Sequence, residues 1–241
     1  MDFDDVLVKL NFRNLVPASE ILPYHSKGLN LSSELPVYVF YDAPVADENF
    51  ERLCHHNGML TAGPGGSDLE YLRKDQISDV EPGRRYIVET LSDEEQDTLN
   101  VIRTLSAAGC PYVLACNNST NNLVNKFLLV GSIMPFYFSK LESIGMCQHR
   151  ISMINHAIGL HVEELFSTAS NSSEVCKALV AGADAVVINV GSVSNMPDVD
   201  KEMIVSAIAD SVRESLSTMT KMAHCTSSEL GSCYKIGRKL Q

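Results

Sequence analysis

The sequence predicts an α/β protein, a pared-down (β/α)8 TIM-barrel in which one or two crossover helices are short or missing. Three observations carry this reading. Eight short apolar runs rich in Val, Ile, Leu and Tyr recur at similar intervals. Most are nearly continuous rather than alternating, as expected of strands buried on both faces of a parallel sheet. Helical stretches with their own start and stop signals lie between several of them, and 241 residues is close to the roughly 250 typical of such barrels.

The runs are Pro36–Phe40, Met59–Ala62, Tyr86–Val88, Tyr112–Cys116, Phe127–Val130, Ile151–Ile154, Leu165–Ser167 and Ala185–Val190. After the third run, Ser92-Asp93-Glu94-Glu95 is a capping box. Leu99, Ile102 and Leu105 then form an inner stripe, and Gly109 is a good C-terminal stop. The pattern returns after the seventh run. Asn171-Ser172-Ser173-Glu174 opens a helix, Val175, Ala178 and Leu179 line it, and Gly182 closes it. Ile204, Ile208 and Val212 mark one more long helix. Two connections are short for parallel crossovers, which normally take about a dozen residues or more. Ser119–Asn125 separates the fourth and fifth runs, and Gly159–Glu163 the sixth and seventh. Gly63-Pro64-Gly65-Gly66-Ser67 reads as a flexible βα loop, since it lacks the Lys of a phosphate-binding P-loop. Asp75–Gly83 reads as a polar surface loop. No linker or repeat interrupts the chain, so residues 1–241 are expected to form a single domain.

Composition narrows the function classes. Nineteen Lys+Arg against thirty Asp+Glu give a net charge of −11 and a pI near 5.0. Such a balance argues against nucleic acid and against an anionic membrane surface as partners. A small anionic ligand stays open, because helix N-terminal amides hold phosphate without a basic patch. No apolar run has the length of a membrane span, and Met1-Asp2-Phe3-Asp4-Asp5 is unlike a signal peptide. Seven Cys without zinc-like spacing point to reduced thiols and a cytoplasmic protein.

Several segments resemble the IMP dehydrogenase and GMP reductase family. Phe3-Asp4-Asp5-Val6-Leu7 is similar to the family's opening, and Leu35–Asp42 to its first barrel strand with the closing acidic residue. Asn57-Gly58-Met59-Leu60 is similar to the entry to its second strand. Lys177–Val186 is similar to its last helix and strand, and Gly191-Ser192 to the phosphate-binding pair that ends that strand. The resemblance implies a purine-nucleotide or phosphate ligand and a homo-oligomer.

The departures from that family lie in its chemistry. Where it carries a catalytic Cys in a Gly-rich loop, this chain reads Met153–His161, with no Cys. Where it carries Asp-Gly-Gly after the seventh strand, this chain reads Ser167–Asn171, and its Asp after the fourth strand is replaced by Asn117 or Asn118. The resemblance therefore implies a pseudoenzyme with a structural, regulatory or ligand-binding role and no certain cofactor. The alternative is an active oxidoreductase of purine nucleotides using NAD(P).

The candidate site residues follow from barrel position. Gly191 and Ser192 end the last strand, where phosphate sites of such barrels are built. Asn171, Ser172 and Ser173 cap the preceding helix, whose amides face the same end. Asp42 and Asn117 are placed at the barrel mouth, Asp42 as an organising carboxylate. Cys116 is the one thiol expected at the mouth, a nucleophile only if it reaches a ligand from strand four, and otherwise a buried apolar Cys. His156 and His161 flank the altered loop, and His55-His56 is expected to face solvent. No metal site emerges from the spacing of His, Cys and carboxylates.

Overall fold

The computed structural model describes residues 6–10, 20–26, 28–72, 80–89, 95–116, 136–138, 165–180 and 183–238. Its centre is a closed ring of eight parallel strands in sequential order. They are β4 (Val37–Asp42), β5 (Leu60–Gly63), β6 (Leu69–Leu72), β7 (Tyr86–Glu89), β8 (Tyr112–Cys116), β9 (Phe136–Phe138), β10 (Leu165–Ala169) and β11 (Ala185–Ser192). β11 pairs back onto β4 and closes the ring. The N-terminal segment supplies β1 (Val6–Leu10), which pairs antiparallel with the C-terminal β12 (Tyr234–Arg238). The short ribbon β2 (Tyr24–His25) and β3 (Ser32–Ser33) follows it in the chain.

Five helices are described: α1 (Glu48–His56), α2 (Glu95–Ala107), α3 (Ser172–Val180), α4 (Asp198–Ala223) and the short α5 (Leu230–Cys233), the last preceded by a 3-10 turn at Ser227–Glu229. Asp47 caps α1 by accepting the Phe50 N–H. α2 ends before Gly109, whose φ of +69° makes the left-handed turn that a side chain would strain. Asn171 caps α3 through its side chain, as the spacing to Glu174 predicts.

Strand alternation divides the apolar residues between two layers. Tyr38, Leu60, Ala62, Leu69, Ile87, Val113, Phe166, Ala185 and Val187 fill the barrel interior. Val37, Val39, Tyr41, Tyr86, Val88, Val186 and Ile188 face outward onto the helices. Burial on both faces explains why these strands carry unbroken apolar runs. Tyr24 plugs the lower end, its ring edge-on to Tyr38 and its hydroxyl 3.4 Å from the Tyr38 hydroxyl.

Six of the expected runs are strands of this ring. The other two, 127–130 and 151–154, lie outside the described residues, as do Ser119–Asn125, Gly159–Glu163, Gly182 and most of the Ser92–Glu95 box. Two strands escape the sequence reading, β6 and β9. Among the described connections, the one between β5 and β6 has no helix, and only Pro64–Asp68 intervenes. It can be this short because β6 begins where β5 ends: Ala62 pairs with Leu69 and Gly63 with Glu70, so the chain need only step sideways. In α4 the buried stripe is Val205, Ala209, Val212 and Leu216, with Ile208 half-buried beside it.

Candidate functional site

The two expected phosphate loops follow neighbouring strands. β10 and β11 pair in parallel from Phe166–Ala185 to Ala169–Ile188, so Asn171–Ser173 and Gly191-Ser192 emerge side by side at the C-terminal end of the barrel. Gly191 adopts φ +75° at a register shift between Asn189 and Gly191, a left-handed conformation that suits Gly. A Cβ at this position would meet no atom within 4 Å, so there is open space beside the backbone. Part of the polar capacity is already in use. The Gly191 N–H donates to Asn189 Oδ1 at 2.8 Å, and the Ser170 N–H to Glu174 Oε2 at 2.7 Å. The Ser172 hydroxyl accepts from the Ser211 hydroxyl of α4. Ser172 and Ser173 are the first residues of α3, and N–H groups there have no acceptor within the helix. The Glu174 carboxylate at the same helix start is a feature that sequence reasoning treats only as a capping partner.

Asp42 ends β4 at the mouth and is exposed, with its carbonyl accepting the Val193 N–H. Around it Phe40, Ala43, Gly63, Pro64 and Tyr71 enclose a small pocket of about 120 Å3, floored by the edge-on Phe40 and Tyr71 rings 6.0 Å apart. Cys116 is the last residue of β8, opposite Phe138; its side chain lies outside the described residues. Asn117, Asn118, His156 and His161 lie outside them too. Cys54, Cys110, Cys176 and Cys225 are buried and in no disulfide. Burial pushes the Cys176 thiol up to about 12, which keeps it protonated and inert. Among the described residues no group of three His, Cys, Asp or Glu is placed to hold a metal ion. No described helix is long and apolar enough to cross a membrane.

The loop Gly63–Ser67 is not the flexible connection its glycines suggest. Ser67 is buried and donates to Glu51 Oε1 at 2.9 Å, and Tyr41 donates to the same oxygen at 2.7 Å. The Gly66 N–H donates to Glu70 Oε1, which also takes Arg84 Nη1 at 2.5 Å. A Cβ on Gly63 would stand 2.5 Å from the Tyr41 carbonyl oxygen. These glycines serve close packing and carboxylate contacts within the chain. Beside them Lys201, buried at the start of α4, donates to Asp47 at 2.5 Å and ties α4 to the cap of α1.

His55 faces solvent, as expected, yet its ring has a partner that sequence reasoning misses. Its Nε2 lies 2.7 Å from Asp68 Oδ2, and the same oxygen accepts the N–H and the hydroxyl of buried Thr61. The hydrogen bond with Asp68 raises the His55 pKa, against the opposing effect of burial. For Asp68, burial acts upward but the donors from His55 and Thr61 prevail, so the carboxyl stays below its ordinary range. The spacing between His55 and Asp68 has no helical or strand period, so only the close return of β6 brings them together.

No known family model matches the chain, and no curated protein matches it either. Solved structures do match in fold. A mandelate oxidase with (S)-2-phenylpropionate gives a TM-score of 0.52 at 13% identity, covering 99% of this chain and 88% of that one. A mutant mandelate oxidase with a C4a-OH-FMN adduct gives 0.52 at 13% identity, covering 97% and 88%. These findings correct the resemblance to IMP dehydrogenase and GMP reductase. The readings drawn from it, a pseudoenzyme of that family, an oxidoreductase of purine nucleotides, and a cofactor that is either absent or NAD(P), are set aside with it. The physical reason is visible in the fold. Leu35–Asp42, Asn57–Leu60 and Lys177–Val186 build a double-faced strand, a strand entry and an inward helix face, which any parallel barrel requires. At this level of identity the likeness to mandelate oxidase establishes one thing, a parallel α/β barrel.

Proposed function

We propose that this barrel binds a phosphate-bearing cofactor of the flavin mononucleotide kind at the ends of β10 and β11. The observation that carries the reading is the left-handed Gly191 bulge set beside the start of α3 on the neighbouring strand. Backbone at such a bulge can approach an anion closely, and the first amides of a helix favour negative charge. The Ser172 and Ser173 amides and the Ser192 hydroxyl are the donors assigned to phosphate. The mandelate oxidase structures supply the choice of flavin, since one of them holds an FMN adduct on a barrel of this fold.

The fit is to the phosphate end of the cofactor. The 120 Å3 pocket at Asp42 is smaller than the ~300–1,000 Å3 usual for a ligand site and is not assigned to the flavin ring. No Lys, Arg or His lines that pocket among the described residues. Oxidation of a hydroxy acid needs a cation for the substrate carboxylate and a base for its proton. The residues present therefore support cofactor binding. A cytoplasmic location belongs to the same reading, on the reduced, buried thiols.

Titration with FMN, riboflavin and inorganic phosphate, followed by flavin fluorescence and equilibrium dialysis, tests the proposal. FMN should bind at least ten-fold more tightly than riboflavin, and phosphate should compete. Ser192→Asp puts a like charge beside the phosphate; two unit charges about 4 Å apart repel by about 4 kcal/mol at an intermediate effective dielectric, so affinity should fall by ten-fold or more. Glu174→Gln removes a carboxylate from the helix start and should tighten binding. Equal binding of FMN and riboflavin, or unchanged binding in Ser192→Asp, would overturn the reading.

A further inference from the structure

The small pocket at the barrel mouth has a carboxylate on its axis side. Along β4 the side chains alternate: Val37, Val39 and Tyr41 face the helices, while Tyr38 and Phe40 face the barrel axis. Asp42 continues the period of two, so its carboxylate falls on the same face as Phe40, at the C-terminal end of the strand. Tyr71 comes to that face from β6, two residues after the interior Leu69. Phe40, Asp42 and Tyr71 line the 120 Å3 pocket together with the loop Gly63–Gly65. The loop wall is prearranged. The Ser67 and Tyr41 hydroxyls share Glu51 Oε1, and the Gly66 N–H is held by Glu70.

The pocket suits a cation. Asp42 is exposed, and it meets its described neighbours through its backbone: its carbonyl accepts the Val193 N–H, and it pairs with Ser192 of β11. No described residue donates to its carboxylate. Glu70, beside Gly65, is already paired with Arg84, so Asp42 alone supplies the charge. No Lys, Arg or His is among the described lining residues, and Pro44 and Pro64 have no N–H to offer an anion. The Phe40 and Tyr71 rings make up the apolar part, and the face of an aromatic ring attracts positive charge. At ~30 Å3 per water the volume equals about four waters, the size of a ligand head group. A calcium ion would take about six to eight oxygen ligands, more than one carboxylate supplies.

We propose that this pocket receives the ammonium group of a small aliphatic primary amine. Asp42 is the counter-ion, and the Phe40 and Tyr71 rings lie against the cation and its first carbons. The proposal rests on the pocket alone and holds whether or not the β10–β11 loops bind a flavin.

Amide NMR titration of the flavin-free protein with butylamine, butanol and butyrate tests the charge preference on one carbon skeleton. Butylamine should give saturable shifts at Asp42, Ala43 and Gly65, butanol should bind about five-fold more weakly, and butyrate not at all. Asp42→Asn should bring butylamine down to the level of butanol. Glu202→Gln, which removes an exposed carboxylate on α4, should leave butylamine unchanged and so separates the pocket from the general negative field. Phe40→Leu keeps an apolar side chain without the ring and should weaken butylamine more than butanol. This variant decides the matter should Asp42→Asn fail to fold, as judged by circular dichroism. No saturable binding of butylamine, equal binding of amine and alcohol, undiminished binding in either pocket variant, or an equal loss in Glu202→Gln would overturn the proposal.

Discussion

Asp68 takes the place of a missing length of strand, and removing it should unfold the chain more readily than its surface position suggests. The register that pairs Ala62 with Leu69 sets Asp68 opposite Thr61, yet β6 begins only at Leu69. The Thr61 N–H, on a residue with no solvent exposure, finds its acceptor in the Asp68 side chain at 2.8 Å. Asp68→Ala leaves that donor buried without a partner, which costs about 1–3 kcal/mol. It also loses the contact with half-exposed His55, contributing about 0.2–1 kcal/mol. The expected loss is about 1–4 kcal/mol, read as a lower urea midpoint at unchanged slope. Asp68→Asn keeps a carbonyl acceptor for Thr61 and should restore most of the difference, whereas His55→Ala should cost less than about 1 kcal/mol. If Asp68→Ala and His55→Ala were equally mild, both under about 0.5 kcal/mol, the strand-substitute argument would be refuted.

The pH dependence of stability has a direction on each side of neutrality. Burial acts against the Asp47 and Asp68 carboxylates, but Lys201 with the Phe50 amide, and His55 with Thr61, hold both pKa values below the ordinary range. Their contribution is complete above pH ~3.9 and is lost as pH falls through the lower folded values. His55 is held above its ordinary value, so its contribution is complete below pH ~6.5 and is lost as pH rises through the folded value. Urea midpoints should therefore plateau between about pH 4 and 6.5, with an alkaline decline that His55→Ala removes; a decline of the same size in that variant would sink the assignment. Gly63→Ala should destabilise by roughly 1–3 kcal/mol, because a Cβ there meets the Tyr41 carbonyl oxygen at 2.5 Å and φ is +154°. A melting temperature within about 1 °C of the parent would show that the loop relaxes freely.

The barrel is legible in the sequence wherever a segment's role is local. Val37–Tyr41 and Ala185–Ile188 are buried on both faces, so their apolar runs are continuous and read as parallel strands without further help. The cap at Asn171 and the stop at Gly109 depend on the residues within one turn, and both stand where the pattern puts them. The long helix is visible too, but the spacing of Ile204 and Ile208 sets its stripe one residue early. Those two lie at the edge of the buried face, with Val205 and Ala209 at its centre.

What the sequence by itself determined is thus the class of the protein: acidic, with parallel strands in order, and with two loops that had to emerge together once β10 and β11 paired. Only the tertiary structure decided how the polar residues are used. Leu69–Leu72 escapes a reading by apolar runs because Glu70 interrupts it, and Glu70 is tolerated there only through Arg84 and the Gly66 N–H, partners supplied by the folded chain. The glycine loop is pinned by Glu51 and Tyr41, and Asp68 meets His55 across a connection with no periodicity. A concavity beside Pro36 joins Leu22–Tyr24 to Leu179, Ser227 and Gly231, segments far apart in the chain. Hydrophobic patterning is written residue by residue along an element, whereas a hydrogen bond or a cavity belongs to pairs of distant residues and exists only once the ring has closed.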